Sequence, residues 1–281
     1  MHRFRSILGV AAAFSVLAAP SAAQTTLDEY VDMGGYRLHF RVARPHLAAS
    51  GVPTIVLEAG GGNDSRFWAE LQTRLAAEFK TVVVAYDRAG LGQSEPTDAP
   101  YDIRRVAADL RKGLTQLGLE HSVVLVGHSY GGMIIQMYAA KYRESVRGLL
   151  FTDPLTPTAS APYRQWRGTL PPLPPELVQP ATRADSATKR DLLAIYETMT
   201  TVFAEGIVPS DIPVVVISSE RGFFGEERLI KGFILSHQLL AASSAHGQWQ
   251  LAKGAGHNIL PEGTDMVVNS LARLLGSNRE R

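Results

Sequence analysis

The stretch GHSYGG at residues 127–132 decides the fold of this chain. An apolar, β-branched run precedes it at 122–126, and a helical pattern follows it at 133–140. A G-x-S-x-G turn between a strand and a helix is the pattern of a nucleophile elbow. Its bend is so tight that side chains at the flanking glycines would collide with the neighbouring strand and helix. We therefore expect Ser129 to lie exposed on a strained turn, at the positive end of the following helix dipole.

The first 23 residues have the layout of a secretory signal peptide. Arg3 and Arg5 provide a positive start, residues 7–19 are apolar, and the small residues 21–23 offer a cleavage site. The apolar stretch is shorter than the about 20 residues that a transmembrane helix needs. We expect cleavage after residue 23 and a periplasmic or secreted mature protein with no integral membrane association.

The composition of the mature chain indicates which classes of molecule it can bind. Without the two arginines of the first 23 residues, 26 Lys and Arg face 27 Asp and Glu, a net charge of −1. Lys and Arg are not clustered, which disfavours nucleic acids and anionic membranes and leaves a small-molecule substrate as the expected partner. The chain has no cysteine, so a secreted form must rest on its own core rather than on disulfides. The composition does not specify an oligomeric state.

Strands and helices alternate along most of the chain. An antiparallel hairpin is predicted at 28–42, with its turn at Gly34-Gly35, because both halves alternate polar and apolar residues. Apolar runs then predict strands at 52–57, 81–85, 122–126, 146–151, 214–217 and 248–252, and helical spacing predicts helices at 67–79, 103–117, 133–140, 185–205, 226–242 and 266–275. Such alternation indicates an α/β fold, with a mostly parallel central sheet flanked by helices on both faces.

An insertion at residues 154–208 interrupts this alternation. Its first half, 154–180, is rich in proline, which excludes regular helices and strands. The insertion nevertheless carries too many large apolar residues for a disordered linker. We predict a helical, Pro-rich cap over the carboxyl edge of the sheet, where ligands bind in such folds. The core domain is then made of residues 24–153 and 209–281.

Together with the elbow, three further motifs resemble the α/β-hydrolase superfamily. They are EAGGG at 58–62, YDRAGLGQS at 86–94 and GAGHN at 254–258. They occur in the order of that family and between the corresponding elements, and the resemblance covers residues 28–275 apart from the cap. It implies the α/β-hydrolase fold and a serine-nucleophile member that resembles esterases and lipases. The motifs specify the fold much more closely than the substrate.

The base that a serine nucleophile requires is expected at His257. This histidine lies in a glycine-containing loop after the last predicted strand, where the family keeps its base. His128 adjoins the serine in sequence, but the sharp bend should turn its side chain away, so we interpret it as a packing or elbow-stabilising residue. Of the other histidines, only His237 is a candidate for the substrate pocket. The histidine spacing shows no metal-ligand pattern, and no metal or cofactor is expected.

The acid that orients this base has two candidates. The family usually places an aspartate a few residues after the strand predicted at 214–217, but Gly222 occupies that position here and Glu220 is the nearby carboxylate. Some members instead take the acid from the end of the strand that follows the nucleophile helix. In this chain that strand ends at Asp153. We place Asp153 first as the third member of the catalytic triad and keep Glu220 as the alternative.

An oxyanion hole is expected from two backbone N–H groups. The resemblance gives one donor to the residue after the nucleophile, Tyr130, and the other to the loop after the early central strand. The family commonly has His-Gly there, whereas this chain has Ala59-Gly60 followed by two more glycines. Gly61 is our choice for the second donor, with Gly60 or Gly62 possible by register. Because the donor is a backbone group, the missing histidine need not abolish it.

The motif at 86–94 is interpreted as structural. Asp87 and Arg88 can pair with nearby backbone or with each other, and Gly90 and Gly92 can fold the loop beside the site. Ser94 is not expected to be catalytic, because no base is expected near it.

The serine at the elbow also restricts the class of reaction that we expect. Dehalogenases and epoxide hydrolases of this architecture use an aspartate there, so the resemblance implies acyl transfer to water through an acyl-serine. We expect a carboxylic-ester hydrolase for a small or medium acyl group. An aminopeptidase or amidase with the same triad is an alternative, and it would need an acidic group in the cap. The candidates for that group are Glu176, Asp185, Asp191 and Glu197. A non-catalytic ligand-binding protein on a hydrolase scaffold is the third possibility.

Overall fold

The computed structural model describes residues 25–157, 186–223 and 227–276. The predicted signal peptide at 1–23 and residues 158–185 of the predicted cap lie outside these ranges. None of the helices within them is long and apolar enough to cross a membrane.

The described residues form one eight-stranded sheet. Its strands are β1 (Thr25–Asp32), β2 (Arg37–Arg44), β3 (Thr54–Glu58), β4 (Val83–Tyr86), β5 (Val123–His128), β6 (Val146–Thr152), β7 (Val214–Ser219) and β8 (Gly247–Ala252). Their order across the sheet is β1-β2-β4-β3-β5-β6-β7-β8. β2 pairs antiparallel with β1 and with β4, and all the other pairs are parallel. The prediction of a mostly parallel sheet that begins with a hairpin is confirmed.

Helices cover both faces of the sheet. They are α1 (Ala69–Phe79), α2 (Ile103–Gln116), α3 (Tyr130–Lys141), α4 (Ser186–Leu193), α5 (Ile195–Glu205), α6 (Glu227–Ala242) and α7 (Leu260–Leu274). Buried residues of α2, α3, α5 and α6 form one core, and those of α1 and α7 form the other. α7 begins six residues before the predicted start at 266. Pro261 lies in its first turn, where a proline is tolerated because its missing N–H has no intrahelical partner.

The amino-terminal hairpin is anchored through a buried histidine. His39 of β2 is fully buried, and its Nδ1 lies 2.8 Å from Asp87 Oδ2 while its Nε2 lies 2.9 Å from Asp28 Oδ1. Burial opposes protonation of this ring, but the hydrogen bonds to Asp87 and Asp28 outweigh it and raise the pKa of His39 above its usual value. Through these two hydrogen bonds, the His39 ring ties β1 and β2 to the loop after β4.

Two of the helices belong to the segment predicted as a cap. α4 and α5 lie between 186 and 205, and the buried side chains of Ile195, Met199 and Val202 join the core that contains α3. This part of the insertion is therefore helical and packed. The division of the chain into core and cap at 154 and 208 stays a prediction.

Candidate active site

The turn after β5 has the geometry of a nucleophile elbow. Ser129 has φ +51° and ψ −119°, in the region of backbone space that side chains rarely adopt. A Cβ on Gly131 would lie 2.5 Å from the carbonyl oxygen of Glu58, and one on Gly127 would lie 2.8 Å from the carbonyl oxygen of Gly131. Both contacts are with backbone that cannot move aside, so only glycine fits at the two flanks, as predicted.

Three of the predicted site residues form a continuous row of hydrogen bonds. Ser129 Oγ lies 2.8 Å from His257 Nε2, and His257 Nδ1 lies 2.6 Å from Asp153 Oδ2. If Nδ1 carries the proton and donates it to the carboxylate, Nε2 is free to accept from the serine hydroxyl. The order nucleophile, base and acid is that of a catalytic triad.

Ser129 and Asp153 follow the ends of neighbouring strands. β5 and β6 run parallel, with His128 opposite Thr152, so the residues that follow them emerge side by side. The N–H of Ser129 donates to the carbonyl oxygen of Thr152 over 3.2 Å, and the N–H of Leu155 donates to that of Ser129 over 2.9 Å. The two turns are therefore locked together by backbone hydrogen bonds.

Asp153 is held as an ionised acceptor. Its φ of +45° is unusual for a residue other than glycine, and its Oδ1 accepts a 2.8 Å hydrogen bond from the N–H of Ser219. Burial alone would raise the pKa of this carboxyl. The hydrogen bond from His257 and the N–H of Ser219 outweigh burial and hold the pKa of Asp153 below its usual value.

Glu220, the alternative acid, makes a different contact. Its Oε2 accepts a 2.8 Å hydrogen bond from the N–H of Gly254, at the start of the loop that carries His257. In the described parts of the chain, the carboxylate that bonds the imidazole is thus that of Asp153, and Glu220 braces the loop. Gly222, which occupies the usual position of the acid, lines the cavity beside the serine.

His128 supports the loop of the base, in keeping with the predicted packing role. Its ring stacks on Phe67 with 4.8 Å between centroids, and its Nε2 donates to the carbonyl oxygen of His257 over 2.9 Å. Burial, reinforced by the nearby His257, lowers the pKa of His128 to about 3, so the ring is neutral. Two histidines therefore lie at the site, and only His257 contacts the serine hydroxyl.

His237, predicted as a pocket candidate, lies behind Asp153. The ring is buried; Nε2 donates to the carbonyl oxygen of Pro154 and Nδ1 accepts from the hydroxyl of Ser218, both over 2.8 Å. Trp249 Nε1 in turn donates to the oxygen of Ser218 over 2.8 Å. His237 is not one of the described residues that line the cavity. Its contacts fix the turn after β6, a role that its sequence context did not indicate.

The predicted oxyanion donors line the same cavity as the serine. Gly60, Gly61 and Gly62 border it on one side, and Tyr130 borders it at the first residue of α3. The first N–H groups of a helix have no intrahelical acceptor, and Tyr130 occupies the first position of α3. The glycine loop is held by Arg88, which donates to the carbonyl oxygens of Ala59 and Gly60 over 2.9 and 2.7 Å.

A cavity of about 310 Å³ opens above the serine. Most of its wall is apolar, with side chains from the turn after β6, from α5, from the loop after β7 and from α6; these are Leu155, Ile195, Phe223, Ile230, Phe233 and Ile234. Thr188 of α4 also borders it, so both described helices of the predicted cap contribute to its wall. The site can hold a small, largely apolar molecule against Ser129 and His257.

The family model of the α/β hydrolase fold matches residues 53–208, more than half of the chain. This chain is a member of the α/β-hydrolase family. The match includes the strand–elbow–helix unit and the turn that carries Asp153.

Relatives of this α/β hydrolase include named enzymes. It is 32% identical over 121 residues to a soluble epoxide hydrolase of Corynebacterium sp. (strain C12), covering 43% of this chain and 39% of that protein. It is 35% identical over 99 residues to the putative carbamate hydrolase RutD of Escherichia coli O103:H2, covering 35% and 36% respectively. The chain thus spans well under half the length of the curated relatives that it matches.

The fold is also that of solved hydrolase structures. The haloalkane dehalogenase DbeA from Bradyrhizobium elkani USDA94 superposes with a TM-score of 0.63 at 17% identity, covering 90% of this chain and 98% of that one. At this identity the likeness shows the α/β-hydrolase fold alone.

Proposed function

We propose that this α/β hydrolase is a serine hydrolase that cleaves a carboxylic ester with a small or medium acyl group through an acyl-serine intermediate. The observation that carries the proposal is the unbroken row of hydrogen bonds from Ser129 through His257 to Asp153, at the floor of an apolar cavity. The names of its relatives, among them a carbamate hydrolase and an epoxide hydrolase, support hydrolysis as the reaction class.

Acylation begins with proton transfer from the serine. As Ser129 Oγ attacks the ester carbonyl carbon, His257 Nε2 accepts the hydroxyl proton. The imidazolium that forms is stabilised by the ionised carboxylate of Asp153. His257 then gives the proton to the leaving alkoxide, which departs as an alcohol and leaves the acyl group on Ser129.

Deacylation repeats these steps with water. His257 removes a proton from a water molecule that attacks the acyl carbonyl, and the proton returns to Ser129 Oγ as the acid product leaves. In both halves the carbonyl oxygen becomes an oxyanion, and we assign its stabilisation to the N–H groups of Gly61 and Tyr130. The loss of one such donor typically costs about 3 kcal/mol in transition-state stabilisation.

The size and polarity of the cavity support a compact, uncharged ester. Its volume of about 310 Å³ lies at the lower end of the roughly 300–1,000 Å³ that small-molecule sites occupy. The walls carry Leu155, Phe223 and Phe233 but no described carboxylate other than that of Asp153. A charged acyl group would lose its hydration in such a site without gaining a partner.

The same observations weigh against the two alternatives. An aminopeptidase needs a free carboxylate for the substrate amine, yet Asp191 is buried against Arg88 and Glu197 is exposed on α5. Glu176 and Asp185 lie outside the described residues. For a non-catalytic binding protein, there would be no reason to keep a hydroxyl, an imidazole and a carboxylate in mutual hydrogen-bond contact.

Labelling with a fluorophosphonate probe tests the proposal, because such a probe reacts only with an activated serine. We expect the folded protein to be labelled on Ser129 and to hydrolyse p-nitrophenyl butyrate, and S129A to lose both properties while keeping its circular dichroism spectrum. Exposed Ser243, whose hydroxyl donates to the carbonyl oxygen of Leu240 near the end of α6, gives the matched control S243A with full activity. A folded wild-type protein that is not labelled, or an S129A variant that still hydrolyses the ester, would refute the proposal.

A further inference from the structure

Arg88 uses every one of its donors inside the protein. Its Nε donates to Asp191 Oδ2 over 3.1 Å, and its Nη2 donates to the same oxygen over 2.9 Å and to the carbonyl oxygen of Gly60 over 2.7 Å. Its Nη1 donates to Glu58 Oε1 and to the carbonyl oxygen of Ala59. These five hydrogen bonds match the five N–H groups of a guanidinium. The side chain is only 3% exposed, so none of them is shared with bulk water.

Two of these hydrogen bonds fix the orientation of the glycine loop. The carbonyl of Gly60 and the N–H of Gly61 belong to one planar trans peptide, so they point in opposite directions. Because Arg88 binds the carbonyl oxygen of Gly60, the N–H of Gly61 points away from the guanidinium, and Gly61 borders the cavity with Ser129. Successive glycines have the greatest backbone freedom of any residues, so without such an anchor this donor would not be preorganised.

The guanidinium also contacts the second donor residue. Its central carbon lies 5.8 Å from the ring centroid of Tyr130, within the range of a cation–π contact. The hydroxyl of that tyrosine contacts Tyr101 and lies 3.0 Å from Thr198 Oγ1 on α5. Arg88 therefore contacts both the Gly60–Gly61 peptide and the side chain of Tyr130, the two places whose N–H groups would bind an oxyanion.

The predicted cap completes this arrangement. Asp191 lies on α4 and is fully buried, as is Glu58 at the end of β3, so carboxylates from two parts of the chain bind the one guanidinium. Burial raises the pKa of Glu58 to about 7, against the opposing charge of Arg88. Asp191 Oδ2 accepts from both Nε and Nη2 of Arg88, so the carboxylate from α4 supplies two of the five hydrogen bonds of the buried cation.

We propose that Arg88 is a positioning residue that fixes the Gly60–Gly61 peptide for oxyanion binding, and that Asp191 of α4 anchors it, which couples the predicted cap to the oxyanion hole. The inference rests on the proposed serine hydrolase function. It differs from a purely structural role in one respect. A misoriented donor weakens the binding of the oxyanion in the transition state but leaves the binding of the ground-state ester nearly unchanged.

The test compares R88K and D191N with the wild-type protein. For each, kcat and KM for p-nitrophenyl butyrate are measured per active site, as titrated with a fluorophosphonate, together with the inhibition constant of an aliphatic trifluoromethyl ketone. This ketone forms a hemiketal oxyanion on the serine and so reports on the hole directly. Lysine has three donors and no planar fork, so R88K can keep at most three of the five hydrogen bonds. R143K, at the partly exposed Arg143–Asp211 pair, is the matched control.

We expect R88K to lower kcat by about tenfold or more while KM stays within about threefold of the wild-type value. The inhibition constant of the ketone should rise by the same factor by which kcat falls. D191N should also lower kcat and raise the inhibition constant of the ketone, and R143K should change neither quantity. Should R88K fail to fold, the same three readouts on D191N decide. A kcat per titrated site equal to that of the wild type, or a change in KM alone, overturns the positioning role. If the wild-type serine is itself unreactive, the proposed function fails and this inference fails with it.

Discussion

The substitution D153N tests the assignment of the acid most sharply. Asp153 binds two groups at once: its Oδ1 accepts from the N–H of Ser219 over 2.8 Å, and its Oδ2 accepts from His257 Nδ1 over 2.6 Å. In the amide, the remaining carbonyl oxygen must face Ser219, since that N–H can only donate. The NH₂ group is then presented to the imidazole.

This orientation reverses the tautomer of the base. An NH₂ group donates to His257 Nδ1, so the ring proton moves to Nε2, which faces Ser129 Oγ and can no longer accept its proton. The change leaves the geometry nearly intact but removes general-base catalysis. In serine proteases, the equivalent change lowers kcat by about 10⁴-fold, or about 5 kcal/mol in activation free energy, and we expect a loss of this order here.

The assay is the hydrolysis of p-nitrophenyl butyrate at pH 7–8, with kcat and KM measured separately. We expect KM to stay within about threefold, because the loss falls on the chemical step. E220Q is the matched control, since a glutamine oxygen can still accept from the N–H of Gly254, and we expect its kcat to stay within about threefold. The reasoning is refuted if D153N keeps more than a tenth of the wild-type kcat, or if E220Q is the more damaging change.

Two further predictions concern stability. G131A brings a Cβ to 2.5 Å from one backbone carbonyl oxygen and 2.7 Å from the next, and we expect it to lower the free energy of unfolding in urea by about 3 kcal/mol. In G148A the nearest contact of the new Cβ is with the side chain of Leu274 at 3.1 Å, and we expect a loss under about 1 kcal/mol. Equal losses in the two variants would contradict the argument. The second prediction concerns His39, whose pKa is raised in the folded protein. Its contribution to the free energy of unfolding is therefore complete below the pKa of the unfolded state, about 6.5. This contribution is lost as the pH rises through the pKa of the folded state. The Tm of the wild-type protein should therefore exceed that of H39Q by less at pH 9 than at pH 5. A difference in Tm that grows with pH would contradict a raised pKa of His39 in the folded state.

The fold and two residues of the candidate site, Ser129 and His257, could be predicted from the sequence because they depend on local signals. The alternation of apolar runs gives the parallel sheet, and the glycines around Ser129 report a steric requirement that the structure makes explicit. His257 is marked by its place in a glycine-containing loop after the last strand. Each of these signals lies within a few residues of the feature that it predicts.

The remaining features depend on which strands and helices become neighbours. The choice between Asp153 and Glu220 follows from β6 lying beside β5, which motif positions alone leave open. The motif around Arg88 suggested only local pairing, whereas Arg88 binds Glu58 and Asp191, which lie 30 and 103 residues away in the chain. His237 likewise reaches the carbonyl of Pro154 over 83 residues. Such contacts have no periodicity or spacing that a single sequence reveals.

The position of Asp153 has a consequence for how the sequence of this protein can diverge. In the common arrangement of the family, the loop after the strand equivalent to β7 carries the acid and must keep its conformation for catalysis. Here the turn after β6 supplies that carboxylate, and the loop after β7 instead brings Gly222 and Phe223 to the cavity wall. Under the proposed function, changes at Phe223 would reshape the cavity wall while the carboxylate stays on the turn after β6, whereas Glu220 and Arg221, which bond to the loop of His257, would have to be kept.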